Sequence, residues 1–145
     1  MNRQCSLLSY RDLYPKRAAF YGHLSYTSLV KTALVVDDDE TIRKFVRLAL
    51  EKRGWTVLEA EDGTDGVARF MLHYPEVLIT DLSMPKRDGF ELVQYLQESG
   101  DLKGARLVIM SGVLDLNEEV LKKTGAHALL RKPFNLRELY IAVEG

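Results

Sequence analysis

From residue 31 onward the chain alternates two hydrophobic patterns. One is a short, solid apolar run. TALVV at 32–36 is apolar almost throughout and rich in β-branched residues, as expected of a strand buried on both faces. Comparable runs recur at 56–60, 77–80, 106–110 and 128–131. The other is an apolar stripe at helical spacing. Ile42, Phe45, Val46, Ala49 and Leu50 predict a helix over 40–53, with Asp39 as its N-cap and Gly54 as its stop. Val67, Phe70 and Met71 predict a second helix over 63–74, ended by Pro75. A third covers 90–98, after the turn chemistry of Met84-Pro85-Lys86-Arg87-Asp88-Gly89. Two more open on capping boxes, Asp115-Leu116-Asn117-Glu118 (running to Thr124) and Asn135-Leu136-Arg137-Glu138. Five strand–helix units in a row predict an α/β fold, a five-stranded parallel sheet with helices on both faces.

Composition changes this picture little. Apolar residues make up 46%, enough for a packed core. Lys plus Arg number 20 and Asp plus Glu 21, so the net charge is −1 and no direct nucleic-acid partner is expected. No apolar run approaches the roughly 18 residues of a membrane span. Cys5 is the single cysteine, which excludes an internal disulfide framework and a Cys-based zinc site and fits a reducing, cytoplasmic setting. Charge does divide the chain. Residues 1–31 hold Arg3, Arg11, Lys16, Arg17 and Lys31 against Asp12 alone, so that part carries +4 and the rest −5. The basic start has the acid-poor look of a transit peptide. The abrupt onset of regular pattern near Lys31 favours an N-terminal extension, flexible or a mis-assigned start, ahead of one domain over 32–145. His23, His73 and His127 share no metal-ligand spacing and read as surface residues, Lys122-Lys123 as a solvated helix end, and Trp55 as packing.

In such sheets ligands bind beyond the carboxyl ends of the strands, at the point where strand order reverses. The residues standing there are Asp37, Asp38 and Asp39 after the first strand and Asp81 after the third. Ser111 and Gly112 follow the fourth, Lys132 and Pro133 the fifth. In the flavodoxin-like order 2-1-3-4-5 the first two acids face Asp81. Clustered carboxylates repel at low dielectric, and a divalent cation relieves that cost. Oxygen ligands favour Mg²⁺, which keeps waters for a phosphate. A lysine and a hydroxyl suit phosphoryl oxygens. Gly112 leaves its backbone N–H open to approach. The set describes a phosphoryl site. Neither a G-x-S-x-G elbow nor a G-x-x-x-x-G-K-[ST] loop is present.

LVVDDDE at 34–40, VLITDLSMPKRDGFEL at 77–92, VIMSG at 108–112 and GAHALLRKPF at 125–134 resemble, in order and spacing, the receiver domains of two-component response regulators, the chemotaxis-protein-like family. The resemblance spans 32–143. It implies a single-domain signalling switch that catalyses only its own phosphorylation and dephosphorylation. Asp81 would take a phosphoryl group from a sensor histidine kinase or a histidine phosphotransfer protein. Asp38 would bind Mg²⁺ directly and Asp37 through water, with Asp81 and the backbone carbonyl of Ser83 as further ligands. Ser111 would bond a phosphoryl oxygen, Lys132 would pair with the acyl phosphate, and Pro133 would follow a cis bond. The signal would pass to a downstream protein target through the face of helix four, strand five and helix five.

Three positions depart from the family pattern. Leu129 stands where an aromatic switch residue is usual, so the hydrogen bonding of a ring hydroxyl is lost there. The last helix is short, running only from Asn135 to Glu144. Val113 lies two after Ser111, where an apolar side chain cannot orient water, so a long-lived phosphoryl state is expected. Val113→Glu should lose its phosphoryl group several-fold faster than wild type in a dephosphorylation time course; an equal or slower rate would remove Val113 as the cause. Two other classes compete. ALVVDDDET also fits the D-x-D-x-T of a haloacid-dehalogenase-like phosphatase, with Asp37 as nucleophile and Asp39 as acid/base, but leaves the Asp81 segment unexplained. An unphosphorylated pseudo-receiver acting as an interaction module is opposed by the complete acid set and Lys132.

Overall fold

The structure is a computed structural model and describes residues 31–84, 88–112 and 117–145. The expected extension over 1–30, the Pro85-Lys86-Arg87 turn, Val113 and Asp115 lie outside the described residues. The elements alternate as β1 (Lys31–Val36), α1 (Glu40–Glu51), β2 (Trp55–Ala60), α2 (Gly63–His73), β3 (Val77–Asp81), α3 (Gly89–Ser99), β4 (Arg106–Ser111), α4 (Glu118–Thr124), β5 (Ala128–Arg131) and α5 (Leu136–Glu144). All ladders are parallel, and the strand order is β2-β1-β3-β4-β5, as expected.

The solid apolar runs are explained by their alternation. Ala33, Val35, Val77, Ile79, Val108 and Met110 point to one face, where they pack on Val46 and Leu50 of α1 and Leu139 and Val143 of α5. Leu34, Val36, Leu78, Leu107 and Ile109 point to the other, against Val67 and Phe70 of α2 and Leu92 and Leu96 of α3. Each fully buried Val, Leu, Ile, Met or Phe among them contributes roughly 1.5–3 kcal/mol of transfer free energy. The sheet is therefore rigid where its strands end, and that end carries the polar residues.

The boundaries differ from the sequence reading in instructive ways. β3 and β4 extend to Asp81 and Ser111, which pair in register with Met110 and Arg131. Their backbones are thus fixed by the ladder and not by a loop. α1 stops at Glu51, and the N–H groups of Arg53 and Gly54 bond back to Leu50 and Glu51 in a tighter turn before Gly54 takes φ +84°. Tyr74, not Pro75, terminates α2 in the left-handed region at φ 45°. Its ring packs edge-on against Phe70, with centroids 6.4 Å apart. α4 opens at Glu118 on Asn117, whose side chain accepts from the N–H groups of Glu119 and Val120. The cap is thus Asn117, inside the window of the expected capping box. Asn135 caps α5, accepting from the N–H of Glu138 at 2.9 Å. His127, an exposed residue, accepts the N–H of Leu107 at Nδ1 (2.9 Å).

Glu144 ties the end of α5 to the far end of β1 and β2. It accepts from Arg53 and from Nε1 of Trp55 (3.3 Å), and Lys31 lies 4.0 Å away. The Arg53 hydrogen bond lowers its pKa from the ordinary 4.5, against the opposing effect of partial burial. A carboxylate depressed in the folded state stabilises above its unfolded pKa and stops doing so as pH falls through the folded value. Glu144→Gln should therefore lower the thermal midpoint at neutral pH by a few degrees. The gap to wild type should close below about pH 4.5. A constant gap across pH 3–7 would show that the carboxylate charge is not what matters.

Candidate functional site

Four strand ends converge on one cluster. β1 delivers Asp37 and Asp38, β3 delivers Asp81, β4 delivers Ser111 and β5 delivers Lys132. Asp37, Asp38 and Asp81 each offer a carboxylate oxygen, and the three atoms lie within 4.8 Å of one another. Asp37 and Ser111 are fully buried and Asp81 nearly so, while Asp38 and Ser83 are exposed. The cluster thus has a dry floor and an open rim.

Asp37 is held at every polar atom. Its N–H donates to the carbonyl of Ala60 (3.1 Å), and its carbonyl accepts from Nη1 of Arg43 (2.7 Å). Oδ1 accepts from the N–H of Asp39 (2.9 Å) and Oδ2 from Nζ of Lys132 (2.6 Å). Burial pushes the Asp37 carboxyl above its ordinary value, while Lys132 and the Asp39 amide pull it down. Burial also works against the Lys132 ammonium, but its hydrogen bonds and charge pairing with Asp37 and Asp81 outweigh that and raise its pKa. Lys132 also reaches Oδ2 of Asp81 at 3.3 Å, and its own N–H donates to the Ser111 carbonyl (2.9 Å). The Lys132–Pro133 peptide is cis.

Asp81 sits in a crowded backbone environment. The N–H of Ser83 donates to its Oδ1 (3.4 Å), and the Thr80 hydroxyl donates to its carbonyl (2.9 Å). Gly89 crosses directly beneath it, and the Gly89 N–H donates to Leu82 (2.8 Å). Gly112, by contrast, has room: an added Cβ would meet nothing nearer than Cβ of Lys132 at 4.0 Å. Leu129, the residue in the aromatic position, is half-buried against the Leu34 side of the core. Asp39 caps α1 through the N–H of Thr41 (2.8 Å). That role, with a fully buried Asp37 bound to Lys132, disfavours the phosphatase arrangement of nucleophile and acid.

The donor set fits a hard divalent cation. Three carboxylates supply oxygen ligands only, and the exposed Asp38 opens the cluster to solvent, a set that suits Mg²⁺ with its retained waters. Sequence reasoning missed Arg43, Glu59 and Gly89. The first two carry no motif, and the turn chemistry around Gly89 gives no sign of how closely it approaches Asp81.

The family model described as "Response regulator receiver domain" matches residues 33–144. The transcriptional regulatory protein TrcR of Mycobacterium tuberculosis is 32% identical over 112 residues, covering 77% of this chain and 43% of the relative. The chain thus spans less than half the length of that relative. Chemotaxis protein CheY4 of Vibrio cholerae superposes with a TM-score of 0.72 at 29% identity, covering 78% of this chain and 95% of its own. A Burkholderia pseudomallei response regulator, solved with a phosphorylated aspartic acid and a calcium ion, superposes with a TM-score of 0.69 at 25% identity, covering 78% and 66%.

Proposed function

This chain belongs to the response regulator receiver domain family, and from that premise we propose that Asp81 is its phosphoryl acceptor. The observation that carries the reading is the convergence of three carboxylates and Lys132 at the strand ends. A carboxylate oxygen of Asp81 attacks the phosphorus of a phosphohistidine. The P–N bond breaks, the imidazole nitrogen keeps the electron pair, and an acyl phosphate forms on Asp81. Asp37, Asp38, Asp81 and the Ser83 carbonyl would hold Mg²⁺, which offsets negative charge on the phosphoryl oxygens. Lys132 turns from Asp37 to a phosphoryl oxygen and supplies a fixed positive charge. The Ser111 hydroxyl donates to another. Water later attacks the acyl phosphate and restores Asp81.

The partners in this reading are a histidine kinase or phosphotransfer protein and a downstream target in a cytoplasmic setting. No helix among the described residues is long and apolar enough to cross a membrane. Some relatives are named transcriptional regulators and extend well beyond the matched segment, so the charge argument against nucleic acid applies to the 145 residues of this chain and no further. The new phosphoryl group shifts the populations of two states of the α4–β5–α5 face. With Leu129 in place of an aromatic ring, that shift relies on apolar repacking without a ring hydroxyl.

Intact mass after incubation with acetyl phosphate tests the reading. One added phosphoryl group with Mg²⁺, and none without it, is the expected result. No adduct together with no Mg²⁺ binding would replace the reading with an interaction module.

A further inference from the structure

We infer that Arg43, anchored by Glu59, is a positioning residue that aims the Asp37–Asp38 carboxylate turn at the cation. This inference rests on the receiver reading of the site and extends it to two residues that the motif does not contain. Arg43 lies on the first turns of α1, and its side chain is only 14% exposed. Its Nε donates to Oε1 of Glu59 (3.2 Å), while Nη1 donates to the Asp37 carbonyl (2.7 Å). Glu59 is fixed in turn on its second oxygen by Nε of Arg47 (2.8 Å).

The contacts act on one peptide unit. The Asp37 carbonyl and the Asp38 amide share a plane, so fixing that oxygen fixes the direction in which Asp38 leaves the strand. On the other side, the Asp37 N–H is bonded to Ala60, the neighbour of Glu59 on β2. The turn is thus gripped by β2 backbone and, through Arg43, by a β2 side chain. The Asp37 carboxylate has further restraints of its own in Lys132 and the Asp39 amide. Asp38 is the exposed member of the trio, and its placement follows from the peptide that Arg43 holds. The guanidinium fork serves two acceptors at fixed angles, which a single lysine ammonium does not reproduce.

Charge and position predict opposite signs. Arg43 carries a positive charge beside a cation site, so if its charge alone mattered, Arg43→Gln would bind Mg²⁺ more tightly. As a positioning residue its loss loosens a ligand and weakens binding, by about ten-fold on the scale of outer-shell metal-site partners. The experiment is calorimetric Mg²⁺ titration of the full chain and of Arg43→Gln and Arg43→Lys. Thermal unfolding in chelator is recorded for each as a check on folding. Both variants are expected to bind about ten-fold more weakly, and both should recover Asp81 phosphorylation at saturating Mg²⁺. A lowered thermal midpoint with unchanged Mg²⁺ affinity would make Arg43 merely structural. Tighter binding by Arg43→Gln with wild-type binding by Arg43→Lys would make it a charge effect. Either result overturns the inference. If Arg43→Gln does not fold, the charge-conserving Arg43→Lys decides alone. Wild type without Mg²⁺ binding would overturn the receiver reading itself; binding by wild type with unaltered variants overturns this inference only.

Discussion

Asp81→Asn is expected to abolish Mg²⁺-dependent uptake of a phosphoryl group from acetyl phosphate while leaving the fold intact. The amide is nearly isosteric and keeps an oxygen for the Ser83 N–H, so the β3 ladder and its Met110 pairing have no reason to move. What disappears is the anionic nucleophile, together with one of the three charges that draw a cation. Intact mass should show no adduct, and the thermal midpoint in chelator should stay within about 5 °C of wild type, a shift of order 1 kcal/mol. A wild-type adduct on the variant would place the acceptor elsewhere in the cluster. The same variant separates the phosphatase alternative, in which activity would be lost in Asp37→Asn and kept in Asp81→Asn.

Gly89→Ala should be the most damaging single-methyl change in the described structure. The added Cβ would stand 1.9 Å from the Asp81 carbonyl oxygen and 2.7 Å from Cα of Leu82. Both are backbone atoms, so no flexible side chain can yield. The β3–α3 connection must move, disturbing the Gly89–Leu82 hydrogen bond. Overpacking of this kind costs about 3 kcal/mol, or roughly 10 °C in thermal midpoint. Gly112→Ala, with its nearest neighbour 4.0 Å away, is the matched control and should unfold with wild type. Equal midpoints for the two alanine variants, measured by circular dichroism, would show that the connection shifts freely.

The fold and the meeting of the polar strand ends could be read from the sequence because its apolar runs give way abruptly to polar residues. Periodicity locates the run, and the parallel architecture places its end. Asp37, Asp81, Ser111 and Lys132 are placed side by side by that logic, and their strand ends do converge. The pairing of Lys132 with Asp37 does not follow from it, since 95 residues separate them and nothing local says which carboxylate the ammonium prefers. Arg43 and Glu59 were invisible for a related reason. On α1, Arg43 is one more charge off the apolar stripe. It meets Glu59 only because Val35 registers with Glu59 and Val36 with Ala60 across β1 and β2. Register of that kind is set by the whole sheet. The cap before α4 is the opposite case: two Asx residues, Asp115 and Asn117, lie within one turn, and local chemistry permits either.

Lys132 has a consequence for how this protein can be handled. Its ammonium already lies between Asp37 and Asp81, and among the described residues no buried side-chain nitrogen or oxygen lacks a partner. The cluster therefore carries its own counter-ion. A zinc finger folds only around its metal; here the ammonium that follows β5 already offsets two of the three carboxylates, so part of the repulsion a cation would relieve is met by the chain itself. Loading and folding stay linked, because a cation that binds only the folded state stabilises it by mass action. Chelated protein should therefore still refold, with a thermal midpoint that rises with free Mg²⁺ by the amount its affinity dictates.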